Sequence, residues 1–125
     1  MILTNQQIYE TYQKLAKVFL NETRYFPAKV NFIIQKNLKT LYEIAQEIEN
    51  MRLNIINHYG KIHDDDYIIY PENIEQANKE LDDLSTVKQE VNILFLTFED
   101  IANIEFTPAQ MGAILFMIKE DEGEE

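Results

Sequence analysis

The sequence contains no cysteine, and only three glycines and three prolines occur among its 125 residues. The missing cysteine excludes disulfide bonds, a thiol nucleophile and thiolate metal sites, and it is compatible with a reducing cytoplasm. The few glycines and prolines predict long regular elements with few tight turns. No stretch approaches the roughly 18–20 apolar residues that cross a bilayer, and residues 1–7 lack the pattern of a secretion signal. We therefore expect a soluble, cytoplasmic protein.

The length of the chain fits one domain of typical size. Hydrophobic residues make up 46% of the sequence and include seven Phe and seven Tyr, which is enough for one core. We predict a single helical domain over residues 1–118. Residues 119–125 are predicted to form an acidic, disordered tail.

Charge is distributed unevenly along the chain, whose net charge is −11. Residues 1–63 carry eight basic and five acidic side chains, whereas residues 64–125 carry three basic and seventeen acidic ones. The two halves either fold against each other or leave a surface with one basic and one acidic face. Binding of DNA or a membrane by the whole protein is disfavoured, because phosphate neutralisation needs a net basic face. The basic stretch of the first half consists of Lys14, Lys17, Arg24, Lys29, Lys36 and Lys39.

Two helices are predicted in the first half. Thr4 and Gln7 have the spacing of a capping box, and apolar residues then recur at helical intervals to about residue 21. A second, long helix is predicted over residues 28–59, with Pro27 at its start and Gly60 as a left-handed C-terminal cap.

The long helix carries an apolar seam. Its heptad positions are Ile34, Leu41, Ile48 and Ile55. A helix of this size is on the order of 45 Å long, so the seam needs a covering surface. Either another helix of the chain or a second copy supplies it, and a homo-oligomer through the long helix is therefore an expectation.

The second half is predicted to alternate short strands and short helices. The acidic turn at residues 64–66 lies between segments rich in aromatic and β-branched residues, which predicts a β-hairpin, although its lack of glycine disfavours a tight two-residue turn. Residues 90–96 are predicted to pair with residues 67–70. Asn73, Thr97 and Thr107 are predicted to begin short helices. The expected fold is mainly α with a minor antiparallel β-hairpin, in which shorter helices pack on a long central helix.

The sequence offers one group of candidate metal ligands, which comprises His58, His63 and the neighbouring acids at residues 64–66. Their spacing matches neither a structural zinc site nor a calcium loop, which needs a longer set of oxygen ligands. We predict a solvated turn with exposed imidazoles, and no metal.

Catalysis is also disfavoured by the sequence. The acidic pairs at residues 82–83 and 99–100 are predicted at helix ends or on exposed helix faces. Ser85 is the only serine and has no nucleophile-elbow sequence around it, and the isolated glycines form no phosphate loop. We predict a protein that is not an enzyme and has no cofactor.

Several segments of the chain resemble a group of small acidic phage and prophage proteins of low-GC Gram-positive bacteria. The segments are residues 27–30 (PAKV), 57–60 (NHYG), 64–66 (DDD), 72–74 (ENI), 78–81 (NKEL), 90–93 (EVNI), 106–111 (FTPAQM) and 115–118 (LFMI). The resemblance covers most of the chain and rests on structural rather than chemical motifs. It implies a phage setting inside a bacterial host and no particular activity.

The leading hypothesis is a non-catalytic protein–protein interaction function, either as an inhibitor of a host factor, including host defence, or as a virion or assembly accessory. An acidic surface would contact a basic host or virion protein. Its predicted residues are Asp64, Asp65, Asp66, Tyr67, Tyr70, Asp82 and Asp83.

The alternative is an oligomeric protein that sequesters a small ligand, a nucleotide signal, in anti-defence. Basic side chains would neutralise the anion while a tyrosine ring stacks on it. The predicted ligand-binding residues are Lys14, Lys17, Arg24, Tyr25, Lys29 and Lys36. An enzyme is the third hypothesis.

Overall fold

The computed structural model describes residues 1–119 of the chain. Over that range the chain is mainly helical with a small antiparallel β component, which confirms the predicted fold class. Of the predicted tail, residues 119–125, residues 120–125 lie outside the described residues. In chain order the elements are β1 (Ile2–Thr4), α1 (Asn5–Phe19), α2 (Ala28–Tyr59), β2 (Gly60–His63), β3 (Asp66–Ile69), a 3₁₀ turn (Pro71–Asn73), α3 (Ile74–Thr86), β4 (Lys88–Glu90), α4 (Phe98–Ile101), α5 (Pro108–Ile114) and a second 3₁₀ turn (Leu115–Met117).

The long helix α2 organises the molecule. It runs for 32 residues without a break, since no glycine or proline interrupts it. Helices α1 and α3 both pack on α2, and α5 packs on α1. Among residues 1–119, no helix is both long and apolar enough to cross a membrane.

The first half of α2 lies in the core. Ile34 and Leu41 of the predicted seam are fully buried, and the core side chains of α1 that lie in the same cluster are Ile8, Leu15 and Phe19. Ile48 and Ile55, the later seam positions, are only half-buried. The chain therefore covers the first half of the seam itself. A second copy is not required there, and homo-oligomerisation stays a prediction.

The predicted pairing of residues 90–96 with residues 67–70 is wrong. β4 pairs instead with β1, with Ile2 opposite Glu90 and Thr4 opposite Lys88. The predicted strand over residues 90–96 is also wrong beyond Glu90, where β4 ends. Residues 91–95 form no strand, since the Ile93 N–H donates to the Val91 carbonyl oxygen at 3.0 Å, but this connecting segment contributes the buried Val91, Ile93 and Leu96 to the core. Alternation of apolar residues carries no information about which partner a segment meets.

A buried asparagine fixes this connecting segment to α2. The Asn37 side chain donates to the Leu94 carbonyl oxygen and accepts from the Leu94 N–H, both at 2.9 Å. Its amide thereby replaces the neighbouring strand that Leu94 lacks, and both backbone groups are satisfied inside the core. Asn37 has no exposed surface and also lies 3.4 Å from the Met117 sulfur. A polar residue on the buried side of α2 thus positions the segment that contains Leu94.

The β2–β3 hairpin forms as predicted, but two details differ. Gly60 is not a left-handed cap: its φ of −162° is extended, and it is the first residue of β2. A Cβ on Gly60 would lie 1.9 Å from the Ile68 carbonyl oxygen, so close approach explains the glycine. The turn is also tight despite having no glycine, because Asp64 adopts φ = 55°. Aspartate tolerates that left-handed conformation better than most residues.

Helix starts were largely predictable from local sequence. Thr4 and Thr107 each form a complete capping box with the glutamine three residues later, and Thr97 forms one with Asp100. Asn73 differs, because its side chain donates to the Tyr59 carbonyl oxygen (3.1 Å) and so links α3 to the end of α2.

Candidate interaction surface

The hairpin end of the molecule has a thin core. It consists of the second half of α2, the β2–β3 hairpin and α3. Of the described hydrophobic side chains here, Ala45, Ile56 and Ala77 are buried, whereas the main cluster of buried residues lies at the other end. Few apolar contacts therefore hold the hairpin on the body.

Besides the Asn73 hydrogen bond, two further contacts stabilise this end. The Tyr59 hydroxyl donates to the Glu80 carboxylate, which joins α2 to α3. That hydrogen bond raises the pKa of Tyr59, because ionisation of the phenol would break it beside a negative charge. Arg52 makes two 2.9 Å hydrogen bonds to Glu49, and its guanidinium carbon lies 5.9 Å from the centre of the Tyr67 ring. The Tyr67 ring thereby rests against α2.

The acidic turn is exposed to solvent. Asp64, Asp65 and Asp66 are all exposed at the tip of the hairpin. His63 Nε2 lies 3.6 Å from Asp64 Oδ2, and both side chains are more than four-fifths exposed. Within residues 1–119, no group of three or more His, Asp or Glu side chains is arranged to hold a metal ion.

Apolar side chains are exposed beside these carboxylates. The exposed fractions are 51% for Tyr67, 66% for Ile68 and 43% for Tyr70. Ile74, at the start of α3, is also exposed. The sequence identified both tyrosines, but it did not identify the two isoleucines, because alternation alone does not tell which strand face meets the body.

Asp82 and Asp83 were predicted to belong to the same surface. They are exposed, but they lie near the far end of α3, roughly 12 Å along the helix from Ile74 at 1.5 Å per residue. Lys79 Nζ pairs with Asp83 at 3.1 Å. The structure therefore brings five of the seven predicted residues together at the hairpin, and Asp82 and Asp83 extend the acidic face away from it.

The structure places the residues predicted for an anion site on α1, on α2 and in the connection between them. Lys14 and Lys17 are exposed on α1, and Lys36 is exposed on α2. Among the described residues, the one ion pair that joins this basic stretch to the downstream acids links Lys29 Nζ to Asp100 Oδ1 at 3.0 Å. The Thr97 backbone N–H and then the Lys29 ammonium lower the pKa of Asp100. Most of the downstream acids thus stay wet.

Arg24 has a structural role. Its guanidinium donates to the Glu22 carboxylate, to the Gln110 side-chain oxygen at 2.6 Å and to the Glu105 carbonyl oxygen at 2.7 Å. The Arg24 hydrogen bonds, together with one from Gln110, lower the pKa of Glu22 to about 2. Arg24 thereby joins the connection after α1 to the start of α5.

The groove beside Arg24 does not suit an anion. It has a volume of about 510 Å³. Tyr25, which is 87% exposed, and Arg24 line it, but so do Glu99, Asp100 and Glu105. The Arg24 charge is already paired with Glu22, and the carboxylates of Glu99 and Glu105 would repel a phosphate.

A second groove lies between α1, α2 and α3. Its volume is about 720 Å³, and its lining includes Tyr9, Tyr12, Tyr42 and Leu81. This size lies within the range of small-molecule sites. The six residues predicted for anion binding lie outside its lining, and the Arg52 charge in its wall is satisfied by Glu49. The groove is a concave surface without a free cation among its described lining residues.

Ser85 is not placed as a nucleophile. Its hydroxyl donates to the Asp82 carbonyl oxygen at 2.9 Å within α3. This is the common local hydrogen bond of a serine near a helix end.

No protein-family model, curated protein or solved structure matches the chain. The candidate surface is therefore defined by its own geometry: an exposed hairpin with an acidic tip and apolar side chains beside it.

Proposed function

We propose that the chain is a non-catalytic interaction protein that binds a basic surface of another protein through its hairpin end. The setting is the cytoplasm of a bacterial host, and the partner is a host factor or a virion protein. One observation carries the proposal: Tyr67, Ile68 and Tyr70 are exposed directly beside the acidic turn. Exposed aromatic and aliphatic groups give a protein interface its affinity, while surrounding charges steer the encounter and select the partner.

The weak core at this end supports the same function. A hairpin that buried its apolar side chains against the body would be more stable but would offer no surface. Here Ile68 and Tyr67 remain exposed although α2 lies close by. Patches of this kind, rimmed by polar groups, mark interaction sites in soluble proteins.

The experiment is a comparative pull-down from a bacterial lysate. The bait is the wild-type chain or the D64N/D65N/D66N variant. A matched control, E10Q/E43Q/E47Q, removes three exposed carboxylates elsewhere and changes the net charge equally. We expect the wild type and the control to retain the same basic protein, and the hairpin variant to lose it.

Salt provides the second arm of this test. Raising the ionic strength from about 50 mM to about 300 mM screens the attraction between the exposed carboxylates and the basic partner. The wild type should therefore release the partner. Equal retention by all three baits at both salt concentrations would contradict the proposal. Heat release and a thermal shift on titration with nucleotides, without a retained protein, would favour the ligand-sequestering alternative.

A further inference from the structure

The outer edge of β3 carries backbone groups with no partner. The hairpin register pairs Gly60 with Ile69 and Ile62 with Tyr67, and the Tyr70 N–H donates to the Tyr59 carbonyl oxygen at 3.2 Å. In an antiparallel pair, alternate residues exchange both hydrogen bonds. The residues of β3 that bond to β2 are therefore Asp66 and Ile68.

The remaining residues of β3 point their backbone outward. The N–H and C=O groups of Tyr67 and Ile69 face away from β2. Among residues 1–119, neither residue has a hydrogen bond from these groups to another backbone or side-chain group. Asp66, Tyr67 and Ile68 are exposed along the same strand. The edge is thus accessible as well as unsatisfied.

A two-stranded hairpin gains from a third strand. An isolated pair is marginally stable in water, and this pair has few buried side chains beneath it. A strand added to the β3 edge would satisfy the groups of Tyr67 and Ile69 and would cover part of Ile68. Four residues of β3 span roughly 13 Å, which matches a segment of four or five extended residues.

The negative charge of the hairpin favours a basic segment on the β3 edge. The hairpin carries the three carboxylates of residues 64–66 against the single ammonium of Lys61. A segment that lies along β3 approaches Asp66 on the strand and the other two acids at its tip. Asp66 and Ile68 lie on one face of β3 and Tyr67 on the other, because successive side chains of a strand alternate. Lysine or arginine at alternate positions of an added strand would meet Asp66 and cover Ile68 with their alkyl chains, and apolar residues between them would meet Tyr67.

We propose that the β3 edge takes up an extended, basic segment of the partner as an added strand. This inference rests on the proposed function and names how the partner is recognised. Backbone hydrogen bonds supply part of the affinity, and the acidic turn selects basic side chains.

The test uses three labelled peptides of equal charge. The first alternates lysine and valine over seven residues. The second is N-methylated on its lysines only, which blocks the edge that faces away from β3 and leaves free the valine N–H groups that would bond to Tyr67 and Ile69. The third is N-methylated on all residues, which blocks both edges. Binding to the full chain is measured by fluorescence anisotropy, and the contact is located by amide chemical shifts.

We expect the first two peptides to bind and to shift the Tyr67 and Ile69 amides, and the third to bind at least roughly ten-fold more weakly, since it loses several hydrogen bonds. Equal binding of the third peptide overturns strand addition but leaves the charge-based function intact. Failure of all three peptides also overturns strand addition. The pull-down comparison then decides the proposed function separately.

Two substitutions at Tyr67 give an independent test of strand addition. Tyr67→Pro removes one outward N–H without removing a bond to β2, whereas Tyr67→Ala removes the ring and keeps the N–H. We expect Tyr67→Pro to bind the first peptide roughly three- to ten-fold more weakly than Tyr67→Ala. Equal affinities overturn the inference. Amide spectra of the core residues verify that both variants fold, and if Tyr67→Pro does not fold, the three peptides decide.

Discussion

The two halves of α2 run through very different surroundings. In the first half Ile34 and Leu41 are buried in one cluster with side chains of α1 and of the connecting segment after β4, and the buried Asn37 makes two hydrogen bonds to the Leu94 backbone. In the second half the equivalent seam position Ile55 is half-buried, and the hairpin beyond it exposes apolar side chains. One continuous helix therefore connects a core that holds the fold with an end that presents a surface. The difference shows that heptad spacing predicts a helix but not how deeply each turn is buried.

The largest expected difference between the two halves comes from buried polar contacts. Asn37→Ala leaves the Leu94 N–H and C=O without partners inside the core, so we expect a loss of about 2–4 kcal/mol in the free energy of unfolding. The matched change Asn57→Ala, on the exposed surface of the same helix, should alter it by less than about 0.5 kcal/mol. Urea denaturation measures both. Similar losses of stability in the two variants would contradict the expected difference between the halves of α2.

Apolar burial gives the next largest effect. Ile34→Ala should cost about 3 kcal/mol, because it opens a cavity in a packed core, whereas Ile55→Ala should cost about 1 kcal/mol. The two substitutions are chemically identical and lie in the same predicted seam. If another copy of the chain covers Ile55, the loss at that position will instead be large, and the unfolding midpoint will depend on protein concentration.

The largest acid sensitivity is expected at Glu22, which lies at the core end. Since the folded state lowers the pKa of Glu22 from 4.5 to about 2, its contribution to stability is complete above pH 4.5 and is lost as the pH falls towards 2. Carbonyl NMR of Glu22 should give a titration midpoint near 2. Glu22→Gln should remove this part of the acid dependence. A midpoint near 4.5 would show that the Arg24 and Gln110 contacts do not persist in solution.

The smallest effect on stability is expected at the hairpin tip. The D64N/D65N/D66N variant should change the free energy of unfolding by less than about 0.5 kcal/mol, because all three side chains are exposed and asparagine also tolerates the left-handed conformation of residue 64. Thermal unfolding measures it. A loss above about 1.5 kcal/mol would mean that the acidic turn is structural, and the pull-down result would then need another explanation.

Local signals predicted the helices well. Thr4, Thr97 and Thr107 mark helix starts through side chains that bond within their own turn, so neighbouring residues contain all the necessary information. The apolar spacing of residues 28–59 likewise predicted α2 without reference to the rest of the chain.

Long-range contacts were not predictable in the same way. The pairing of β4 with β1 joins residues almost ninety positions apart, and nothing local in either segment specifies the partner. Asn37 looks like a polar interruption of the seam until Leu94 is placed beside it. At the candidate site, composition identified the acidic turn and its tyrosines. The outward edge of β3 depends on the hairpin register, which the sequence did not specify because the turn has no glycine.

Residue-resolved hydrogen exchange under native conditions tests most directly the claim that a stable core end supports a weakly held hairpin end. The Leu41 amide should exchange only when the whole protein unfolds, whereas the Ile68 amide, which bonds within the hairpin, should exchange through local opening at a free energy lower by at least about 2 kcal/mol. Equal opening free energies at Leu41 and Ile68 would contradict the account, because the hairpin would then unfold only together with the core.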